Sequence, residues 1–106
     1  MSWTNRRVTL LQLVEAPSPS QLESDLDMTI ELKDENADSG VRLVFRGVHA
    51  LSITKSARPF YVGSLTVSDV RSQQLEGLNY FVEDAGREFI SFYCRDFQKE
   101  PIINPQ

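Results

Sequence analysis

A chain of 106 residues, 41% of them hydrophobic, is the size of one ordinary domain and long enough to bury a core without metals or disulfides. Eleven basic against fifteen acidic side chains give a net charge of −4, which argues against a nucleic-acid backbone or an anionic membrane as the main partner and favours a basic one. The single cysteine excludes an internal disulfide and fits a reducing cytoplasm, and no apolar run approaches the ~20 residues needed to span a bilayer.

Residues 6–14, RRVTLLQLV, are rich in β-branched and aliphatic types with apolar residues in both phases, the pattern of a strand that is bulged or covered on both sides. The paired arginines and the apolar run loosely imitate a secretion signal. That run is short, is interrupted by Gln12, meets Glu15 and lacks a small-residue cleavage site, so it reads as the first strand. Two prolines in residues 16–20 then impose a loop. Residues 25–33 alternate most cleanly, with Leu26, Met28, Ile30 and Leu32 on one face and Asp25, Asp27, Thr29, Glu31 and Lys33 on the other, as a half-buried strand does. A polar turn over 34–40 leads into a strand over 41–46; Gly47 weakens that strand or marks a bulge, and 48–53 resumes it.

After a proline-containing loop, residues 61–67 offer another strand. Residues 68–77 read either as a short helix, with Ser68 as its cap, Asp69 in the first turn and Gly77 just past the end, or as a polar loop. The segment 78–94, LNYFVEDAGREFISFYC, has the pattern of a β-hairpin. A three-residue loop at Asp84-Ala85-Gly86, with Gly86 at positive φ, would set Glu83 opposite Arg87 and Phe81 opposite Phe89. Leu78, Tyr80, Val82, Ile90, Phe92 and Cys94 then form one apolar face directed at the core, and the second strand of the hairpin is central. The expected fold is all-β: a mostly antiparallel sandwich or partly closed barrel of six to seven short strands with at most one short helix. It comprises one domain over 1–106, with 95–106 a polar C-terminal tail.

Catalytic chemistry finds little support in these residues. A nucleophilic cysteine needs a base within reach, and the one histidine, His49, shares the core phase or is turned outward by a bulge at Gly47. Asp34, Asn36 and Asp38 have the alternate spacing of a calcium loop, but Gly40 falls one place late and the bidentate acid position is Phe45; one His and one Cys cannot build a zinc site. Glu83, Asp84 and Glu88 cluster at a hairpin tip, where exposed, unperturbed charges are expected. No catalytic residue, metal ligand or cofactor site is assigned. What remains is an acidic stripe, Asp25, Asp27, Glu31, Asp34, Glu35 and Asp38, suited to steering a basic protein partner, or simply a solvated face.

The order of elements over residues 40–97, a VRLVFRGVHALSI strand followed by LNYFVEDAGREFISFYC and a short tail, resembles small uncharacterised bacterial all-β proteins, including immunity proteins of polymorphic toxin systems. The resemblance implies stoichiometric inhibition by binding, with an acidic surface set against a basic toxin and no catalytic residues. The expected function is therefore that of a non-enzymatic protein-binding domain, an immunity-type inhibitor of a basic toxin, cytoplasmic, monomeric or homodimeric, with no nucleic-acid or membrane partner. Two readings stay open beside it. One is a small-ligand-binding β-barrel or degenerate enzyme using Tyr61, Tyr80 and Tyr93 as polar handles, and the other is a structural or oligomerisation protein that pairs through an edge strand.

Overall fold

The computed structural model describes residues 1–17, 24–34, 39–54, 61–73, 77–86 and 89–102; the side chains of Asn5, Ala16, Pro17, Ser24, Asp25 and Tyr61 lie outside that description. Eight strands are formed among the described residues: β1 Ser2–Pro17, β2 Ser24–Asp34, β3 Gly40–Arg46, β4 His49–Ile53, β5 Tyr61–Asp69, β6 Tyr80–Asp84, β7 Ile90–Cys94 and β8 Asp96–Ile102. All pair antiparallel in a single sheet of order β4-β7-β6-β5-β1-β2-β3-β8, with β4 and β8 at its ends, so the sheet is one curled layer and is not closed.

The extra strand is the predicted polar tail. Residues 96–102 lack a continuous apolar face, yet each pairs with β3, from Arg46↔Asp96 to Gly40↔Ile102. Pro101, which has no N–H to give, is tolerated because β8 ends the sheet. The two ends of the sheet meet at a corner. Between β3 and β4 stand only Gly47 and Val48, and between β7 and β8 only Arg95; the Arg95 amide donates to the Arg46 carbonyl at 2.9 Å, and Gly47 adopts φ 66°. That left-handed residue is where the continuous strand bends, the bulge its glycine signals. A second irregularity, between His49 and Ser52, contains Ala50 at φ 54°.

One face of the sheet encloses the core. From β2 come Met28, Ile30 and Leu32, from β3 Leu43 and Phe45, from β5 Val62, Leu65 and Val67, and from β6 and β7 Val82, Ile90, Phe92 and Cys94, all buried. Phe45 and Phe92 meet edge to face with ring centroids 4.9 Å apart, and Phe97 stacks on Phe45 at 6.1 Å. β1 explains its apolar residues in both phases by a bulge: the register with β2 shifts between Val8 and Leu10. Val8 before the shift and Leu11 after it face inward, opposite Leu32 and Ile30, while Leu10 is thrown to the outer face opposite Glu31.

The 78–94 hairpin pairs differently from expectation. Glu83 lies opposite Ser91, Phe81 opposite Tyr93 and Val82 opposite Phe92, so the connection runs past Asp84 to Phe89 and is longer than three residues. The pairing is displaced by four positions. An even displacement keeps each paired side chain on its assigned face, which is why Tyr80, Val82, Ile90, Phe92 and Cys94 still point inward and Phe81 and Tyr93 outward, their rings 4.7 Å apart; Phe89, expected opposite Phe81 on the outer face, lies outside the pairing and is buried in the core. β7 is central, flanked by β4 and β6. Gly86 is not at positive φ. It is glycine because a Cβ there would lie 2.9 Å from Gly63 Cα, so the close approach of two backbones, and not a turn dihedral, demands it.

The helix read over 68–77 reduces to one 3-10 turn, Arg71–Gln73. Ser68 and Asp69 still belong to β5, and Asp69 rather than Ser68 accepts the Arg71 amide, at 2.9 Å. Residues 74–76 lie outside the described residues.

Candidate functional site

The three carboxylates of the acidic stripe whose side chains are described are divided by the fold. Asp27 and Glu31 project from the outer face of β2, and Asp34 ends that strand on the opposite phase, across from Arg6. Asp27 Oδ1 accepts the Gly47 amide at 3.3 Å and so braces the corner, Glu31 faces Arg42 at 3.6 Å, and Asp34 pairs with Arg6 at 3.1 Å. Arg42 is shared with Glu100 of β8, also at 3.6 Å, making a three-residue charge ladder across β2, β3 and β8. Partly exposed pairs of this kind stabilise by at most about 1 kcal/mol. Asp25 is placed opposite Ala16 by the β1–β2 register, while Glu35 and Asp38, with Asn36 of the calcium-like spacing, lie outside the described residues.

The acidic hairpin tip is corrected by one residue. Asp84 is not an exposed tip charge: it is 1% exposed, and its carboxylate accepts four backbone amides. Oδ1 receives Gly63 at 3.1 Å, Ser64 at 2.9 Å and Gly86 at 3.1 Å, and Oδ2 receives Phe89 at 3.3 Å. One side chain thereby ties the β6–β7 connection to β5. The Asp-x-Gly spacing signals a side-chain turn onto the Gly86 amide, but the other three donors arrive from β5 and from beyond the loop, which no local pattern reveals. Glu83 is exposed, and Glu88 lies outside the described residues.

His49 and Cys94 are not brought together. His49 is exposed opposite Tyr93, whereas Cys94, the next residue along, points into the core opposite Tyr80. Burial, reinforced by nearby Asp96, pushes the Cys94 thiol up to about 12, so at neutral pH it is a protonated, inert core group. Tyr80 and Tyr93 do not converge on one pocket: Tyr80 packs its ring edge to face on Phe97 at 5.0 Å inside and Tyr93 lies outside against Phe81, while the Tyr61 side chain is outside the description. Among the described residues two open surface clefts are lined, one of about 210 Å³ along Val44, Arg46, Asp96, Phe97 and Gln98, the other of about 280 Å³ along Thr54, Glu83, Asp84, Ile90 and Ser91. Neither involves His49. Among the described residues no group of three or more His, Cys, Asp or Glu side chains could hold a metal ion, and no helix is long and apolar enough to cross a membrane.

The described side chains that could meet a partner are thus surface groups on an antiparallel sheet. A family model, Immunity protein PIM8, matches residues 1–100. The chain belongs to this family of immunity proteins. No curated protein and no solved structure matches it. As a member of the PIM8 immunity family the chain is an immunity-type inhibitor that binds a protein partner, and the match spans β1 through nearly all of β8, including the tail strand that a reading of residues 40–97 alone would have left out.

Proposed function

We propose that the protein is a stoichiometric inhibitor of a basic toxin and acts in the cytoplasm, where its lone thiol stays reduced. The observation that carries the reading is the match to an immunity family across residues 1–100 of a chain whose formal charge is −4. Inhibition by binding needs a stable surface rather than a pocket, and an acidic surface accelerates encounter with a cationic one. The candidate acids are Asp25, Asp27, Glu31, Asp34, Glu35 and Asp38. Because Asp27, Glu31 and Asp34 already serve partners within the chain, their substitution would disturb the fold as well as the field.

The test therefore neutralises Asp25→Asn, Glu35→Gln and Asp38→Asn together and measures association with the toxin against which the chain protects cells. Wild type should associate fast at low salt and more slowly as salt rises, since exposed charges are screened over about 8 Å at physiological ionic strength. The triple variant should associate more slowly and with a flatter salt dependence. Equal rates for both, independent of salt, would remove the basic-toxin reading.

A further inference from the structure

We infer that the outer face of the β1–β2 ribbon around Leu10 and Val14 is the docking surface for the toxin, and that its occupant is a basic segment of that toxin carrying apolar side chains onto those two residues. This rests on the immunity reading above.

The first observation is topological. The register of β1 with β2 sets Leu10, Gln12 and Val14 opposite Glu31, Thr29 and Asp27 on one face and Leu11 and Leu13 opposite Ile30 and Met28 on the other. β1 and β2 stay paired to each other to Pro17↔Ser24. The second observation is exposure. Large exposed hydrophobics among the described residues are Met1, Leu10, Leu13, Val14 and Ile53, and three of them fall within five consecutive positions of β1, at 39%, 42% and 49%. The bulge after Val8 is what places Leu10, and with it Val14, on the outer face opposite Glu31 and Asp27. Leu13 is exposed on the opposite face, across from Met28, so the outer face carries two large exposed hydrophobics, Leu10 and Val14, with only Gln12 between them on that face.

The third observation is charge. Residues 8–32 hold Glu15, Glu23, Asp25, Asp27 and Glu31 and not one Lys, Arg or His, a formal charge of −5. The other 81 residues carry ten acidic and eleven basic side chains and sum to +1. The net negative charge of the protein is therefore concentrated in residues 8–32, which bear the exposed apolar pair. Two acidic side chains border that pair in the register, Glu31 directly across from Leu10 and Asp27 directly across from Val14. An apolar centre with a charged rim is the anatomy of a protein interface, the centre supplying affinity and the rim setting partner choice and on-rate. A second copy docked ribbon to ribbon would set five carboxylates against five, so the one-sided charge selects a cationic partner over self-association.

The experiment uses the full chain and a catalytically inactive form of the toxin against which it protects cells. Leu10→Ser with Val14→Ser is the test variant, and Ile53→Ser, equally exposed at 46% but on β4, is the control. The double variant should bind at least about tenfold more weakly and lose protection, while the control stays near wild type. Glu15→Lys with Asp25→Lys should lower the association rate at low salt. Hydrogen exchange on the wild-type complex gives a readout that needs no substitution: slowed exchange over residues 10–15 supports the inference even if the double variant fails to fold, and protection confined to other strands overturns it. A folded double variant that binds like wild type also overturns it, leaving the immunity reading intact. If the chain protects cells against none of the toxins encoded in its own genome, both fall together.

Discussion

Replacing Asp84 by asparagine tests whether one buried carboxylate holds the β6–β7 connection against β5. The wild-type side chain is 1% exposed and accepts the amides of Gly63, Ser64 and Gly86 on Oδ1 and of Phe89 on Oδ2. Asparagine is nearly isosteric, so packing is preserved and only the electrostatics change. Its Oδ1 can keep three of the four bonds, but as neutral bonds of roughly half the strength. Its Nδ2 is a donor and would confront the Phe89 N–H where the wild type offers an acceptor, at a cost of about 1 to 3 kcal/mol. Together the two effects should destabilise the domain by about 2 to 4 kcal/mol, a large share of the 5 to 15 kcal/mol typical of a whole protein. Urea unfolding at neutral pH gives the magnitude, and the melting temperature should fall by roughly 10 to 25 °C. Amide exchange locates the effect: the Ser64 and Phe89 amides should lose protection before the amides of β2 and β3 do. A variant that unfolds within about 0.5 kcal/mol of wild type, with those two amides still protected, would show that the four contacts carry no net stabilisation.

Phe92→Ala should cost about 3 to 5 kcal/mol, because the side chain is fully buried against Phe45 and its removal leaves a cavity; an unchanged denaturation midpoint would contradict its place in the core. Gly86→Ala should cost about 1 to 3 kcal/mol, since its Cβ would stand 2.9 Å from Gly63 Cα and the two backbones would have to separate; a melting temperature equal to wild type would show that this approach is slack. Cys94 should resist a thiol reagent at mildly alkaline pH in the native protein and react at once when unfolded. Its folded pKa, about 12, lies above the ordinary value of 9.0, so its contribution to stability is fully present below pH 9.0 and is lost as pH climbs from there toward 12; Cys94→Val should blunt that alkaline loss, as pH-resolved melting would show.

The sequence by itself determined the class of the fold and the faces of its strands. Alternation has a period of two and is written in neighbouring residues, so Met28, Ile30 and Leu32, or Val82, Phe92 and Cys94, identify an inner face whatever the strand pairs with. For the same reason the misread loop in the 78–94 hairpin moved the partners by four positions without turning over the side chains that pair, although Phe89, left outside the pairing, enters the core. The apolar residues in both phases of β1 and the glycine at position 47 likewise announced irregular strands, and the structure places a bulge at one and a bend at the other.

What only the tertiary structure decided are matters of long-range pairing. The tail becomes β8 because β3 presents it an edge to complete, and backbone bonding asks no particular side chains of residues 96–102. Asp84 is buried because amides from a strand twenty residues earlier converge on it, whereas its own neighbourhood in the chain describes an exposed turn. The acidic stripe read as one run of charge, yet the fold assigns Asp27, Glu31 and Asp34 to partners inside the molecule, while the bulge at Val8 sends Leu10 and Val14 to the outer face opposite Glu31 and Asp27. Charge and hydrophobicity are local and can be counted along the chain. Which of them meets solvent depends on the register in which strands pair, and that is fixed by contacts far apart in sequence.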